Sequence, residues 1–146
     1  MFSRIVVGTD GSDTAAAAVS LATELARQSG ATLHLVSAYK DAVASLAMAH
    51  ASGVAISDPA LTTEAAQNEC EELLVRAAAG IDGVSVETHV VCGPAADMIV
   101  KVAEGMDADL IVVGSKGMKG ARRILGSVPN SVAHNAPCHV MVAKTV

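Results

Sequence analysis

The sequence predicts an α/β fold: a single domain over residues 1–146 with an open, five-stranded parallel sheet and helices on both faces. Three observations predict it. Strand-like and helix-like patterns alternate along the whole chain, with no internal repeat and no low-complexity linker. Apolar runs such as Leu110-Ile111-Val112-Val113 break directly into glycine-bearing turns, as buried strands of a parallel sheet do. The chain is 51% hydrophobic and 17% charged over 146 residues, enough to bury one substantial core and too apolar for a disordered chain.

Taken in order, Ser3-Arg4-Ile5-Val6-Val7-Gly8 is a short β-branched run that ends at the turn signal Thr9-Asp10-Gly11. Ser12 is placed to cap the next helix, Val19, Leu21, Ala22 and Leu25 mark its apolar face, and Gly30 marks its stop. Thr32 to Ala38 reads as the second strand. Residues 40 to 60 show no clear period; with Asp58-Pro59 as a turn signal, they read either as a short helix around Ala42 to Ala49 or as a mobile flap. From Leu61 to Ala79 the helical period is strong, with Cys70, Leu73, Leu74 and Ala77 on one face. Glu72 and Arg76 are spaced as an i,i+4 pair, and Gly80 closes the helix.

Val84 to Val91 alternates at period two, a half-buried third strand. Gly93-Pro94 predicts a helix with proline in its first turn, with Ile99, Val102 and Ala103 facing inward and Gly105 at its end. Leu110 to Val113 is the fourth strand, Ser127 to Asn135 a helix, and Cys138 to Ala143 the fifth strand. This is a Rossmann-like succession. Ligands of such sheets bind beyond the C-terminal strand ends, where the strand order reverses. Two loops compete for that place: Thr9-Asp10-Gly11-Ser12, and the glycine-rich loop after strand four.

Composition excludes several classes. A net charge of −5 argues against nucleic-acid binding, which depends on an extended basic surface. No apolar run reaches the ~18 residues of a membrane span, and Met1-Phe2-Ser3-Arg4 leads into a strand rather than a signal peptide. Cys70, Cys92 and Cys138 are scattered, without CxxC spacing. They read as buried thiols acting as small core residues, in a protein of the reducing cytoplasm. With Phe2 and Tyr39 the only Phe, Tyr or Trp residues, a bound base is expected between aliphatic walls and backbone groups.

The loop after strand four carries the chemistry. Gly114-Ser115-Lys116-Gly117 is followed by Gly126-Ser127, and the stretch between the outer glycines holds Lys116, Lys119, Arg122 and Arg123 with no acidic residue. Glycines let a backbone approach a ligand closely, and a helix start at Ser127 offers unpaired N–H groups to a phosphate. The same glycines also read as turns, and each cation as a solvated loop charge. No Gly-Lys-Ser/Thr ends the loop, so it is not a Walker P-loop, and it stands in the wrong place for a dinucleotide fingerprint. Asp10 reads either as a turn-forming Asx residue or as a group near a bound metal, and Asp13 as a first-turn helix charge. The histidines show no HxxxH, HxH or Cys–His spacing that would suggest zinc, and no Ser–His–Asp set stands out.

Five stretches together resemble the universal stress protein family, over essentially the whole chain: Val6-Val7-Gly8-Thr9-Asp10-Gly11-Ser12, Cys92-Gly93-Pro94-Ala95, Ala108 to Gly117, Leu125-Gly126-Ser127-Val128, and Ala136-Pro137-Cys138-His139-Val140. The ATP-binding branch of that family carries Gly-x2-Gly-x9-Gly followed by Ser or Thr. Here the second gap is eight residues, Met118 to Leu125, while the glycines and the serine are kept. The resemblance implies an adenine nucleotide, ATP foremost, with AMP or cyclic AMP as alternatives. It places Gly114, Gly117, Gly126 and Ser127 around the phosphates, with Val128 adding a backbone N–H and Val113 beside them. Gly8 and Thr9 would line the same pocket, Asp10 would lie near the ribose or a bound Mg or Mn ion, and Ala38 would present its backbone to adenine. It further implies a stress-response regulator rather than a fast enzyme. A homodimer is also implied, formed through the last strand, where Val140-Met141-Val142-Ala143 is apolar. Slow ATP hydrolysis or autophosphorylation, and a nucleotide-independent interaction protein, are the rival readings.

Overall fold

A computed structural model of the chain describes residues 1–40, 51, 53, 63–115 and 127–144. The expected helix around Ala42 to Ala49 and the turn at Asp58-Pro59 lie outside these residues. Within them the order is β1 (Arg4–Gly8), α1 (Asp13–Ser29), β2 (Thr32–Tyr39), α2 (Thr63–Ala79), β3 (Val86–Cys92), α3 (Ala95–Gly105), β4 (Leu110–Gly114), α4 (Ser127–Asn135) and β5 (His139–Ala143). The five strands form one sheet in the order β3-β2-β1-β4-β5, and every neighbouring pair is parallel. The chain therefore begins at the centre, winds out to β3, and returns to build β4 and β5 on the other side. The reversal falls between β1 and β4.

Both faces of the sheet are buried, which is why β1 and β4 read as unbroken apolar runs. On one face Ile5, Val7, Leu33, Leu35, Leu110 and Val112 pack against Ala18, Ala22 and Ala26 of α1 and Leu74 of α2. On the other, Val6, Val36, Ile111 and Val113 pack against Ile99, Val100 and Ala103 of α3 and Val132 of α4. The buried stripe of α1 runs through alanines, with Val19, Leu21 and Leu25 half-buried beside it. Small residues at its centre let the helix lie close on the sheet.

Local signals set the helix ends. The Ser12 hydroxyl accepts from the Ala15 N–H at 3.2 Å, and Gly30 ends α1 in the left-handed region at φ 70°. Pro94 caps α3 from outside, at φ −60° and ψ 133°, rather than sitting in its first turn as the sequence suggests. An extended residue is needed there to turn the chain from β3 into the helix.

Two other expectations are corrected. Cys92 is exposed and Cys70 and Cys138 are half-buried, so the free thiols are not core residues; burial still pushes the Cys138 thiol above its ordinary pKa. Glu72 and Arg76 do not pair, and α1 instead joins Arg27 to Glu24 at 2.7 Å. Among the described residues no helix is long and apolar enough to cross a membrane.

At the N-terminal edge of the sheet, Asp109 fastens β1 to β4. Its carboxylate accepts the backbone N–H groups of Arg4, at 2.8 Å, and Ser3. Those two bonds, Arg4 first, hold the Asp109 carboxyl below its usual pKa.

Candidate functional site: a cavity at the strand reversal

A cavity of about 330 Å3 opens at the C-terminal ends of β1, β2 and β4. That is within the roughly 300–1,000 Å3 of small-molecule sites. Its floor is made of strand ends, Gly8, Val36, Ala38, Val113 and Gly114, and its walls are the starts of helices. Ser12, Thr14 and Ala15 bring the first turn of α1, Ala95 and Ile99 bring α3, and Ser127, Val128 and Pro129 bring α4. Parallel βα units place each helix N-terminus at the C-terminal edge of the sheet, so three of them meet at one opening. Each carries backbone N–H groups without an intrahelical acceptor and a partial positive charge. In α1 the Ser12 hydroxyl occupies one of these donors, whereas Pro94 gives α3 no side-chain cap.

The rest of the lining is apolar. Val36, Ala38, Ile99, Val113, Val128 and Pro129 supply aliphatic walls, as expected of a site that cannot stack a ring on aromatic side chains. Among the described lining residues Asp10 is the one ionisable group. It is exposed, and its Oδ1 accepts the Ser12 N–H at 3.0 Å, so the Asx turn does form. Thr9 is held on both sides: its N–H donates to the Val36 carbonyl at 2.8 Å and its hydroxyl accepts from Gly11 at 3.2 Å.

Gly8 and Gly114 are small for a reason the sequence did not suggest. A Cβ on Gly8 would stand 2.5 Å from Ile99 Cδ1, and one on Gly114 would stand 2.9 Å from Thr14 Cγ2 and 3.0 Å from the Thr14 carbonyl oxygen. These glycines let α3 and α1 approach the strand ends, which is what brings their first turns to the cavity.

Of the ten residues nominated from sequence, Gly8, Thr9, Asp10, Ala38, Val113, Gly114, Ser127 and Val128 surround this one cavity. Gly117 and Gly126 lie outside the described residues, as do Lys116, Lys119, Arg122 and Arg123. Ser12, Thr14, Ala15, Val36, Ala95, Ile99 and Pro129 also line it and were not among those ten. The available signal was positional: each belongs to a strand end or to the first turns of a helix that follows one.

A second polar cluster lies away from the cavity, on β2 and β3. His34 Nδ1 is 3.0 Å from His89 Nε2 and 3.5 Å from Glu87 Oε2. His34 is buried, and desolvation holds its imidazole below the ordinary histidine pKa against the opposing pull of Glu87. None of the three lines the cavity.

A doubly wound parallel sheet with an aliphatic cavity of small-molecule size and three helix starts at its reversal point defines a Rossmann-like α/β protein. Residues 1–144 match the Universal stress protein family, and the chain belongs to it. It is 35% identical over 147 residues to universal stress protein MJ0531 of Methanocaldococcus jannaschii, covering 99% of this chain and 83% of the relative. It is 33% identical to universal stress protein MT1672 of Mycobacterium tuberculosis, covering 99% of this chain and 97% of the relative. Among solved structures it is similar to a universal stress protein in complex with cAMP, at 31% identity and TM-score 0.69, covering 99% of this chain and 98% of that one. It is also similar to UspA from Lactobacillus plantarum, at 25% identity and TM-score 0.71, covering 97% of each chain.

Proposed function

We propose that the cavity binds an adenine nucleotide, ATP with Mg or Mn foremost, and that the protein is a cytoplasmic, nucleotide-dependent regulator in stress responses. The observation that carries this reading is the convergence of the α1, α3 and α4 starts on an aliphatic cavity. Donors at one side suit phosphates and apolar walls at the other suit a base. In this reading Gly114 and Ser127, with Val128 adding its N–H and Val113 beside them, face the phosphates, together with Gly117 and Gly126 of the loop. Gly8 and Thr9 line the nucleoside, Ala38 meets adenine, and Asp10 lies near the ribose or the metal. The whole chain then serves as one nucleotide-binding domain. Fast hydrolysis is not part of the proposal, because turnover needs a group that orients water and no described lining side chain besides Asp10 is ionisable.

Cyclic AMP is the second reading, favoured by the solved relative that holds it. Titration calorimetry of nucleotide-stripped protein with Mg-ATP, AMP and cyclic AMP decides. Micromolar ATP binding supports the first reading, a preference for cyclic AMP the second, and no binding to any of them removes both. Product analysis after long incubation with ATP checks for slow hydrolysis or autophosphorylation. Asp10→Ala weakens ATP binding more with magnesium than without it if Asp10 serves the metal; equal losses assign it to the turn alone. Because β5 is a sheet edge with Val140, Met141 and Val142 half-buried, we also propose a homodimer through that strand, which light scattering on the eluting protein tests.

A further inference from the structure

We propose that His34, Glu87 and His89 form a binding site for a divalent transition metal of the zinc class, separate from the nucleotide cavity. The parallel β2–β3 register sets His34 beside Glu87 and Val36 beside His89. Residues 87 and 89 are two apart on one strand, so their side chains share the face on which His34 lies. The result is two imidazole nitrogens and a carboxylate oxygen, all within 4.8 Å of one another.

The spacing fits an ion. Two imidazole ligands each at about 2.0–2.1 Å from a metal stand roughly 2.9–3.4 Å apart, for angles between square and tetrahedral. His34 Nδ1 and His89 Nε2 are 3.0 Å apart. Nitrogen with carboxylate oxygen suits zinc, cobalt or nickel better than calcium or magnesium, which prefer oxygen alone. The burial is also graded as such a site requires. His34 is 3% exposed and anchors the group in the sheet, while Glu87 is exposed and His89 half-buried. An ion would enter from the surface and keep coordination positions open to solvent.

Packing alone does not account for His34. Val6 and Val36 occupy neighbouring positions on the same face and are fully buried there. His34 Nε2 is buried without a hydrogen-bond partner. An unsatisfied buried polar atom costs about 1–3 kcal/mol, which a valine at that position would avoid. Coordination through Nδ1 would give the ring a role that a valine could not fill, with the proton left on the unpaired Nε2. Val36, the register partner of His89, lines the nucleotide cavity, so the ion would tie the edge strand to a strand that floors it.

The test uses the full chain, stripped of metal and nucleotide, titrated with zinc chloride by calorimetry and with cobalt chloride by visible absorption. One equivalent of zinc binds, the thermal midpoint rises with zinc, and the cobalt spectrum lacks the sulfur-to-metal band that Cys70, Cys92 or Cys138 would produce. His89→Ala and Glu87→Gln each weaken zinc about tenfold or more. Both positions lie on an edge strand, Glu87 exposed and His89 half-buried, and Glu87→Gln keeps the side-chain shape should His89→Ala fold poorly. Absence of zinc binding, a sulfur band, or unchanged affinity in the folded variants overturns the proposal and leaves a hydrogen-bonded histidine pair. Since no nucleotide is present, the result is independent of the reading of the cavity.

Discussion

The two edges of the sheet treat backbone donors in opposite ways. At the N-terminal edge, Asp109 takes up the N–H groups of Ser3 and Arg4, so a side chain of the protein completes the hydrogen bonding. At the C-terminal edge, α3 begins without a side-chain cap and α4 begins at the cavity wall. Strand-end donors need acceptors from the protein or from water, so an edge that supplies its own contributes to stability. An edge that gathers donors around an opening is the one that the proposed phosphate would complete from outside. The two edges should therefore respond to substitution in separable ways: changes at one alter folding, changes at the other alter ligand affinity.

The largest separation is expected from Ser127→Asp. Ser127 is exposed and is the first residue of α4. A carboxylate there favours the helix dipole by about 0.3–1 kcal/mol, so the thermal midpoint holds or rises slightly. The same charge beside a phosphate is repulsive by several kcal/mol, and ATP affinity falls about 100-fold. Calorimetry and a thermal melt on one sample read both numbers. A variant that is destabilised, or that binds ATP normally, removes the α4 start from the phosphate site.

Gly114→Ala should affect both properties together. The new Cβ meets Thr14 Cγ2 at 2.9 Å and the Thr14 carbonyl at 3.0 Å, and a backbone atom cannot swing aside. Overpacking of this kind costs about 1–3 kcal/mol. The first turn of α1 must move away from the cavity, so affinity falls with stability. Asp109→Asn should do the reverse, lowering stability by only about 0.5–1 kcal/mol, because both bonds are solvent-screened, while leaving ATP affinity unchanged. The pH dependence follows from the sign of its shift. The folded carboxyl titrates below its unfolded value, so its contribution is complete above about pH 3.9 and is lost as pH falls through the lower folded value. The acid limb of a denaturation profile should flatten in Asp109→Asn, and an unchanged limb would show that the two bonds contribute nothing to stability.

Much of the fold was legible because its signals are local. Ile5-Val6-Val7 and Leu110-Ile111-Val112 are apolar on both faces, Gly30 stops a helix, and Ser12 starts one, each readable within a few residues. The errors arose where tertiary packing decides. The apolar face read for α1 does pack on the core, with Ala22 fully buried and Val19, Leu21 and Leu25 half-buried, but the close approach of the helix to the sheet also selects Ala18 and Ala26, which that reading left out. Arg27 rather than Arg76 finds a carboxylate, because a spacing only permits a pair. The cavity was readable from the loops that flank the strand reversal. What sequence could not show is that Gly8 and Gly114 make room for Ile99 and Thr14, since those contacts join residues far apart in the chain. His34 and His89 are 55 residues apart and meet only through the β2–β3 register, so no spacing motif could reveal them.

The smallest effect addresses which helix starts the phosphates would reach in the proposed complex. Ser12→Ala removes the hydroxyl that accepts from Ala15 at 3.2 Å, a long bond whose loss should cost about 0.5–1 kcal/mol. The donor it leaves behind belongs to a residue that lines the cavity. A phosphate placed against α1 can replace the lost acceptor, so the difference in stability between Ser12→Ala and the parent should shrink when both are saturated with ATP. A phosphate held by α3 and α4 alone leaves that difference the same with and without ATP. Thermal melts of both proteins, with and without saturating Mg-ATP, measure it directly. A constant difference would divide the C-terminal edge further: α1, already capped by its own serine, would serve the fold, as Asp109 does at the opposite edge.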